Sequence, residues 1–372
     1  MAQVKETLFN QQHISNHIFK NKLIVAPMTR ISADDDGTPN DRMRRYYERY
    51  ALGGFSAVIS EGIYTDEIYS QGYANQPGLA NEKHQQGWEP ITKAVKEHGS
   101  KMIAQLMHAG AQSQYNQYTS ETASASSVQP PAEKVSSYGG QGAFPVPKAM
   151  NEDDMETAKQ GFIQAALHAL EAGFDGVELH GANGYLLDQF LSASTNKRTD
   201  QYGGPVENRV RFLTEVIEAV REAIGPVPIL GIRISQAKVT DGSYRWPGGE
   251  ADAAVIFSEL GKTPLDYIHT TDGDGLGDGF GNDTLSMAQA AKEYSGLPVI
   301  ANGDLGDPEK SSHAIDESAA DFVSLGRTAL ANPDAPHRIL HGQSLNSFDP
   351  SLIMQPLANV KDAELEQNIF KE

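Results

Sequence analysis

Three hydrogen-bonding side chains lie close together in the stretch 175–188, DGVELHGANGYLLD. They are His180, Asn183 and Tyr185, and they follow an alternation of apolar residues that is typical of a buried strand. Two nitrogen donors in a glycine-rich loop could converge on a single oxygen atom, and the nearby hydroxyl could supply a proton to a neighbouring atom. The alternative is a satisfied core histidine beside an ordinary packing tyrosine, and the rest of the chain decides between the two.

The elements that must position these side chains alternate along the chain as strand and helix. Strand-like apolar runs occupy residues 22–28, 56–62, 101–107, 175–180, 228–234, 265–271, 297–303 and 321–327. Helical patterns occupy residues 41–52, 84–98, 152–172, 206–223, 250–261, 284–295 and 307–317. Eight β-α units in 372 residues predict an α/β fold of the TIM (β/α)8 barrel type rather than a doubly wound sheet.

Two segments depart from this alternation. Residues 7–20 have the pattern of two extended pieces around a polar turn, which predicts an N-terminal hairpin lid. Residues 108–150, after the third strand, are rich in Gln, Ser, Gly and Pro, so we expect a long excursion that can carry short strands. No linker marks a second domain, and residues 1–372 are expected to form one barrel domain.

Functional residues of a TIM barrel lie just after the carboxyl ends of its strands. That rule selects residues from separate parts of the chain that would share one face of the barrel. They are Pro27, Met28, Thr29, Arg30, Glu61, Gly62, Gln105, His108, His180, Asn183, Tyr185, Arg233, His269, Gly303, Gly326 and Arg327. Their convergence favours a functional site over the packing interpretation.

The loops after the last two strands carry Gly303, Gly326 and Arg327, at the place where such barrels commonly bind phosphate. Backbone N–H groups of the glycines can donate to a phosphate, and arginine adds a fork-shaped cation. The alternative is that both glycines only form tight turns. Arg233, in the apolar run ILGIRI, would be a partly buried cation in need of a partner, such as a ring that becomes anionic on reduction. Gln105 can donate and accept, which suits the amide–imide edge of a flavin.

Composition excludes several classes of function. The chain has 30 Lys and Arg against 49 Asp and Glu, a net charge of −19, which disfavours binding to nucleic acid or to an anionic membrane. It has no cysteine, so disulfides, thiolate zinc sites and iron–sulfur clusters are excluded. The sequence shows neither an export-signal pattern nor an apolar run of roughly 18 residues, and a cytoplasmic protein is expected.

At these residues the chain resembles the Old Yellow Enzyme family of FMN-dependent ene-reductases. The resemblance runs over nearly the whole length. It is strongest in LIVAPMTR (23–30), QGYANQPGL (71–79), AQLMHAG (104–110), the long motif 178–209, IANGDLGDP (300–308) and LGRTALANPD (325–334). It implies tightly but non-covalently bound FMN, NAD(P)H as co-substrate, and reduction of the activated C=C bond of α,β-unsaturated carbonyl or nitro compounds.

The resemblance also implies a role for each matching residue. The expected FMN contacts are Pro27, Met28, Thr29 with its hydroxyl near the reactive edge, Gly62 by backbone, Gln105 at the pyrimidine edge, Arg233 at the N1/O2 side, and Gly303, Gly326 and Arg327 at the phosphate. His180 and Asn183 are expected to bind the carbonyl oxygen of the substrate, Tyr185 to donate the proton, and Tyr73 to lie at the edge of the pocket.

The chain departs from the family pattern at three places: Met107, where a large aromatic residue is frequent; Thr29, which is cysteine in one branch; and the long acidic loop 272–283. Rival functions are N-demethylation of a small amine by the same flavin chemistry, a non-flavin phosphosugar isomerase or aldolase, and a non-catalytic phosphate-ligand binding protein. Two metal interpretations are disfavoured: a calcium loop at 272–283, and a metal trio of His108, His180 and His269.

Overall fold

Eight parallel strands form a closed barrel in a computed structural model that describes residues 2–317 and 320–370. In chain order the strands are β1 (Leu23–Val25), β2 (Ala57–Ile59), β3 (Lys101–Met107), β4 (Gly176–Asn183), β5 (Ile229–Lys238), β6 (Tyr267–Thr271), β7 (Val299–Asn302) and β8 (Phe322–Leu325). Each strand pairs with the next, and β8 pairs with β1 through Val323 and Leu23, which closes the barrel. The TIM-barrel prediction is confirmed.

Helices follow the strands and pack outside them. The longer ones span Asp41–Leu52, Glu82–Glu97, Glu152–Glu171, Arg211–Ile224, Glu250–Gly261, Met287–Ser295 and Pro308–Asp316. The shorter ones span Ala2–Phe9, Leu186–Leu191, Val206–Arg209, Arg327–Ala331, Ala335–His341, Pro350–Ile353 and Asp362–Leu365. Local sequence fixes several starts. Asn151 caps the helix Glu152–Glu171 and forms a capping box with Asp154, and Gly173, at φ +91°, follows the end of this helix.

The N-terminal segment differs from the prediction at its start. Residues 7–9 are not extended but belong to the helix Ala2–Phe9, and the hairpin is confined to Gln12–Ile14 and His17–Phe19. Its residues Ile14 and Phe19 are fully buried in one cluster with Ile229 and Phe322, which are the first residues of β5 and β8. The hairpin therefore closes the amino end of the barrel, opposite the carboxyl ends of the strands.

The excursion after β3 lacks long elements, in agreement with its composition. It contains two 3-10 turns, Gly110–Gln112 and Ser136–Tyr138, and a short parallel pair, Ala123–Ser124 with Lys148–Ala149. A further short strand, Ile63–Tyr64, precedes it and pairs with β3. Within residues 2–317 and 320–370, no helix has the length and apolar character needed to cross a bilayer.

Replacing the buried hairpin residue Phe19 tests the closure of the amino end. Phe19 contacts the Phe322 ring edge-on at 5.0 Å between centroids. We expect Phe19→Ala to lower the free energy of unfolding by about 3–5 kcal/mol, because it leaves a cavity in the barrel core. Ile18→Ala is the matched control, because Ile18 lies in the same strand and is 54% exposed. Equal urea-unfolding midpoints for the two variants would contradict this role.

Candidate active site

A cavity of about 820 Å³ opens at the carboxyl end of the barrel. It brings together residues that are far apart in sequence. The expected site residues that line it are Pro27, Met28, Thr29, Gly62, Gln105, His180, Asn183, Tyr185, Arg233, Gly303, Gly326 and Arg327. Tyr73 does not line the cavity but is buried behind Tyr185.

The backbone that carries Asn183 is held in an uncommon conformation. Asn183 has φ +59° and Gly184 has φ +84°, both in the left-handed region that non-glycine residues rarely adopt. The Asn183 N–H donates to the Ser235 hydroxyl at 2.8 Å, and its carbonyl accepts from the Gln112 amide at 3.0 Å. These contacts fix the direction in which the Asn183 side chain leaves the strand.

A buried ion pair braces the same turn from behind. Lys238 Nζ lies 2.8 Å from Asp188 Oδ2, and both side chains are almost fully buried. The same carboxylate oxygen accepts the Gly184 N–H at 2.6 Å, and Lys238 also donates to Ser192 at 2.5 Å. The pair therefore ties the turn after β4 to the end of β5.

His180 and Asn183 are both available as neutral donors. Arg233 Nη1 donates to Asn183 Oδ1 at 3.5 Å, so the NH2 end of the Asn183 amide is the end turned away from the guanidinium. Burial, with the nearby charge of Arg233, lowers the pKa of His180 to about 3. The imidazole is therefore uncharged near neutral pH and can donate one N–H without adding a positive charge.

Two tyrosines, Tyr185 and Tyr138, form the next part of the cavity wall, and Tyr73 lies behind it. The Tyr185 ring lies 4.9 Å from the His180 ring, and its hydroxyl is hydrogen-bonded to that of Tyr73. Burial raises the pKa of both phenols, so both stay protonated. Tyr138, from the excursion after β3, packs edge-on against Tyr73 at 5.0 Å and also lines the cavity. When Tyr73 donates to Tyr185, the proton of Tyr185 is free to be given to a ligand.

Arg233 is a buried cation whose hydrogen bonding is incomplete. Its Nη2 donates to Asn302 Oδ1 at 3.0 Å, but its Nε is buried and has no partner within the described part of the chain. Burial lowers the pKa of this guanidinium to about 10, far below its usual value. A ligand that is electron-rich or anionic at this point would satisfy both the charge and the free N–H, which fits the N1/O2 side of a flavin.

The opposite end of the cavity fits a phosphate. A Cβ placed on Gly326 would meet nothing nearer than Met28 Sδ at 3.7 Å, so the backbone there is open to a ligand. Gly303 has φ +142°, which favours glycine. Arg327 lies 3.4 Å from Asp304 Oδ1, and Lys310 lies 2.7 Å from the other oxygen of the same carboxylate. Asp304 thus holds two cations at the cavity rim.

Several lining residues were not identified from the sequence. Tyr138 lies in a segment without periodicity, and Phe348 and Met354 come from the C-terminal segment. The only sequence signal for Tyr138 is that it is an aromatic residue in a run rich in Gly and Ser. Of the other residues selected from the sequence, Arg30 lines the cavity, whereas Glu61, His108 and His269 lie outside its lining. Glu61 accepts the N–H groups of Arg30 and Ile31, and His269 uses both ring nitrogens within the barrel. In the described ranges no group of three or more His, Asp or Glu is arranged to hold a metal ion.

The barrel and the chemistry of its cavity define the class of protein: an FMN-dependent oxidoreductase. Residues 7–346 match the model of the NADH:flavin oxidoreductase / NADH oxidase family. The chain belongs to that family and, within it, to the Old Yellow Enzyme group. FMN is the cofactor and a nicotinamide is the co-substrate. This membership rules out the non-flavin isomerase, aldolase and phosphate-binding alternatives.

Relatives and solved structures match this chain over most of its length. A probable flavin mononucleotide-dependent alkene reductase from Leishmania infantum is 36% identical over 341 residues, which cover 89% of each chain. A chanoclavine-I aldehyde reductase from Penicillium roqueforti is 33% identical and covers 94% of this chain and 93% of its own. The structure of the Old Yellow Enzyme homologue from Zymomonas mobilis superposes with a TM-score of 0.87 at 29% identity, covering 98% of this chain and 99% of the other. Morphinone reductase superposes with a TM-score of 0.82 at 32% identity and covers 92% of both chains.

Arg327 tests the phosphate end of the cavity. Its side chain is 67% exposed, so its removal should not affect folding. We expect Arg327→Ala to purify with little FMN, because the remaining charge at the rim is dominated by acidic residues. Arg245→Ala, which removes an exposed arginine outside the cavity lining, should keep its colour. The flavin-to-protein ratio after gel filtration measures the effect, and full occupancy in Arg327→Ala would place the phosphate elsewhere.

The lowered pKa of His180 gives a pH prediction. A phenol mimics a carbonyl oxygen, and it stays un-ionised below about pH 8 because its own pKa is near 10. With a His180 pKa of about 3 in place of 6.5, the imidazole protonates only as the pH falls far below neutrality. The pH dependence of phenol affinity, followed by the charge-transfer band over about pH 5–8, should therefore show no inflection near 6.5, the ordinary pKa of histidine.

Asn183→Ala should weaken phenol binding by about 10-fold across this range, the factor for one lost hydrogen bond. Asn116→Ala is the control, because the Asn116 amide donates to the Ile68 carbonyl outside the cavity. A change of affinity with a midpoint near 6.5 would mean that His180 titrates as an ordinary histidine.

Proposed function

We propose that this protein reduces the activated C=C bond of α,β-unsaturated carbonyl or nitro compounds with NAD(P)H, and that Tyr185 supplies the proton. The observation that carries the proposal is the pair of neutral donors, His180 and Asn183, on one wall of the cavity with the Tyr185 phenol beside them. FMN, when bound, accepts a hydride from the nicotinamide and supplies it to the β-carbon of the alkene.

His180 and Asn183 act on the oxygen of the substrate. Hydride addition at the β-carbon leaves negative charge on that oxygen, and two fixed N–H donors stabilise the charge most when it is most developed. One such donor can contribute about 3 kcal/mol to the stabilisation of a transition state. The donors need no reorganisation, because the Ser235, Gln112 and Asp188 contacts already fix the Asn183–Gly184 turn.

Tyr185 acts on the neighbouring carbon. Its hydroxyl stays protonated because burial raises its pKa, and it gives up its proton only to a strongly basic carbon. The hydrogen bond from Tyr73 stabilises the phenolate that remains. A hydride from one face and a phenol proton from the other give net trans addition.

The remaining expected residues hold the cofactor. We propose that Gln105 and Arg233 contact the pyrimidine ring, that Pro27, Met28, Thr29 and Gly62 line the flavin, and that Gly303, Gly326 and Arg327 bind the phosphate. All of them line one cavity, and one continuous hydrophobic core runs from Val4 to Val360. This continuous core supports a single FMN-binding domain.

Two relatives support the choice of substrate class. The Leishmania protein is a probable flavin mononucleotide-dependent alkene reductase and the Penicillium protein is a chanoclavine-I aldehyde reductase, so both are reductases. Oxidative N-demethylation would run the hydride in the other direction, from an amine. A pair of donors suited to an oxyanion does not serve that reaction.

Tyr185→Phe separates proton delivery from hydride delivery. The substitution removes one hydroxyl without changing charge, so FMN binding and reduction by the nicotinamide should stay nearly normal. Turnover of cyclohexenone should fall about 10²–10⁴-fold, the usual contribution of a general acid. The rate of flavin oxidation by a nitroalkene should fall much less, because the nitronate product is stable without a proton.

The measurement is stopped-flow reoxidation of the reduced enzyme by each alkene. Tyr115→Phe is the control, because Tyr115 is 46% exposed and lies outside the cavity lining. An unchanged cyclohexenone rate in Tyr185→Phe would assign proton delivery to water or to another residue. Demethylation of a small amine without reduction of any alkene would replace the proposed reaction.

A further inference from the structure

A network of buried polar side chains crosses the barrel directly beneath the cavity. Glu178, on β4, accepts hydrogen bonds from Gln105 at 2.8 Å, from the Tyr267 hydroxyl at 2.8 Å and from His269 Nδ1 at 2.9 Å. His269 Nε2 lies 2.8 Å from the Ser324 hydroxyl on β8. Glu178 and His269 are completely buried, whereas Gln105 and Ser324 reach the cavity. The proposed reaction uses neither Glu178 nor His269.

The strands are built to allow this network. Gln105, Glu178, Gly231 and Tyr267 are register partners across four neighbouring strands. A Cβ on Gly231 would lie 2.1 Å from the Tyr267 ring, so glycine is required there for the tyrosine to turn into the barrel. A fully buried carboxylate is costly unless several donors satisfy it, and here three donors converge on it. Three side chains thus donate to Glu178, and Gly231 leaves the space that one of them, Tyr267, needs. Packing alone does not require this arrangement.

Glu178 fixes the orientation of the Gln105 amide. His269, Arg233 and Gln105 together outweigh burial and hold the pKa of the Glu178 carboxyl below its usual value, so it is ionised and can only accept hydrogen bonds. The Gln105 amide must turn its NH2 group towards it, and the carbonyl oxygen at the other end is turned away. A flavin ring presents an imide N–H that needs such an acceptor.

Glu178 also opposes the charge of Arg233. Glu178 is the register partner of Gly231, two residues before Arg233 on β5, so the side chains of Glu178 and Arg233 lie on the same face of two paired strands. Burial lowers the pKa of the Arg233 guanidinium, and the Glu178 carboxylate is the main group that opposes this effect. The cavity therefore has a cation at its surface and a matching anion one layer deeper. The balance between them sets how strongly the site favours a ligand that becomes negatively charged.

We propose that Glu178 is a positioning residue that orients Gln105 and offsets Arg233, and so sets the affinity and the reduction potential of FMN. The proposal rests on the FMN site proposed above and not on the identity of the alkene. Removing the charge of Glu178 leaves Arg233 unopposed, which favours the reduced, anionic cofactor. Loss of the Glu178–Gln105 hydrogen bond leaves the Gln105 amide free to rotate, which weakens its contact with the flavin imide.

The test compares Glu178→Gln with two other variants and with the wild-type holoenzyme. Glu178→Gln should raise the midpoint potential of bound FMN, measured by equilibration with a redox dye, and should raise the apoprotein's Kd for FMN about 10-fold. Tyr267→Phe keeps the charge of Glu178 but removes one donor to it, so the potential should shift the opposite way. Asp334→Asn removes another buried carboxylate, which pairs with Arg338 outside the barrel, and should leave the potential unchanged.

The outcomes separate this proposal from the one it rests on. A wild-type potential in Glu178→Gln, or shifts of the same sign in Glu178→Gln and Tyr267→Phe, overturns the role of Glu178. If Glu178→Gln does not fold, Tyr267→Phe decides alone: a lower potential supports the role, and an equal or higher one overturns it. An unchanged potential in Arg233→Ala would overturn the FMN site itself. If the potentials shift as predicted but the enzyme reduces no enone, only the proposed reaction is overturned.

Discussion

The buried guanidinium of Arg233 is the constraint around which the site is arranged. It lies in an apolar strand, two asparagine amides accept from its Nη atoms, and its Nε is left without a partner in the described residues. A buried charge with incomplete hydrogen bonding is unfavourable in the protein alone. A ligand that carries electron density to this point offsets that penalty, and more so when the ligand gains negative charge. In the proposed FMN site, the same cation thus favours both cofactor binding and cofactor reduction.

Donors beside such a cation must be neutral and must be fixed in place. A charged imidazole at His180 would add a second positive charge to the same wall, and burial together with Arg233 prevents that. The left-handed Asn183 conformation is unfavourable by itself, and the Lys238–Asp188 pair helps to hold it. Strand β4 continues to Asn183 and β5 to Lys238, and these two residues are register partners. His180 and Asn183 therefore belong to paired strands rather than to a free loop. This rigidity is what a site needs if it is to stabilise charge without rearranging.

The sequence was informative wherever local pattern determines geometry. Alternation in β4 separates Val177 and Leu179, which pack against the helices, from Glu178 and His180, which point into the barrel. The rule that functional residues of a barrel follow the carboxyl ends of its strands then identified most of the cavity residues. Local pattern could not place Tyr138, Phe348 or Met354, because long-range contacts fix their segments. Examples are the Ala358 N–H to Ser137 carbonyl bond and the buried Arg30–Glu364 pair. The extended start predicted for residues 7–9 was wrong, because Leu8 is buried as part of a helix.

In the proposed FMN site, the two ends of the cavity bind an anionic cofactor through different interactions. At the rim, Arg327 and Lys310 are largely exposed and already share Asp304, so a phosphate must compete with that carboxylate and with salt. In the interior, Arg233 contacts no carboxylate among the residues that the structure describes, and solvent screening there is weak. In a chain of net charge −19, attraction at long range cannot hold the phosphate. We therefore propose that FMN retention depends on contacts at short range: backbone amides at the rim and the buried guanidinium inside.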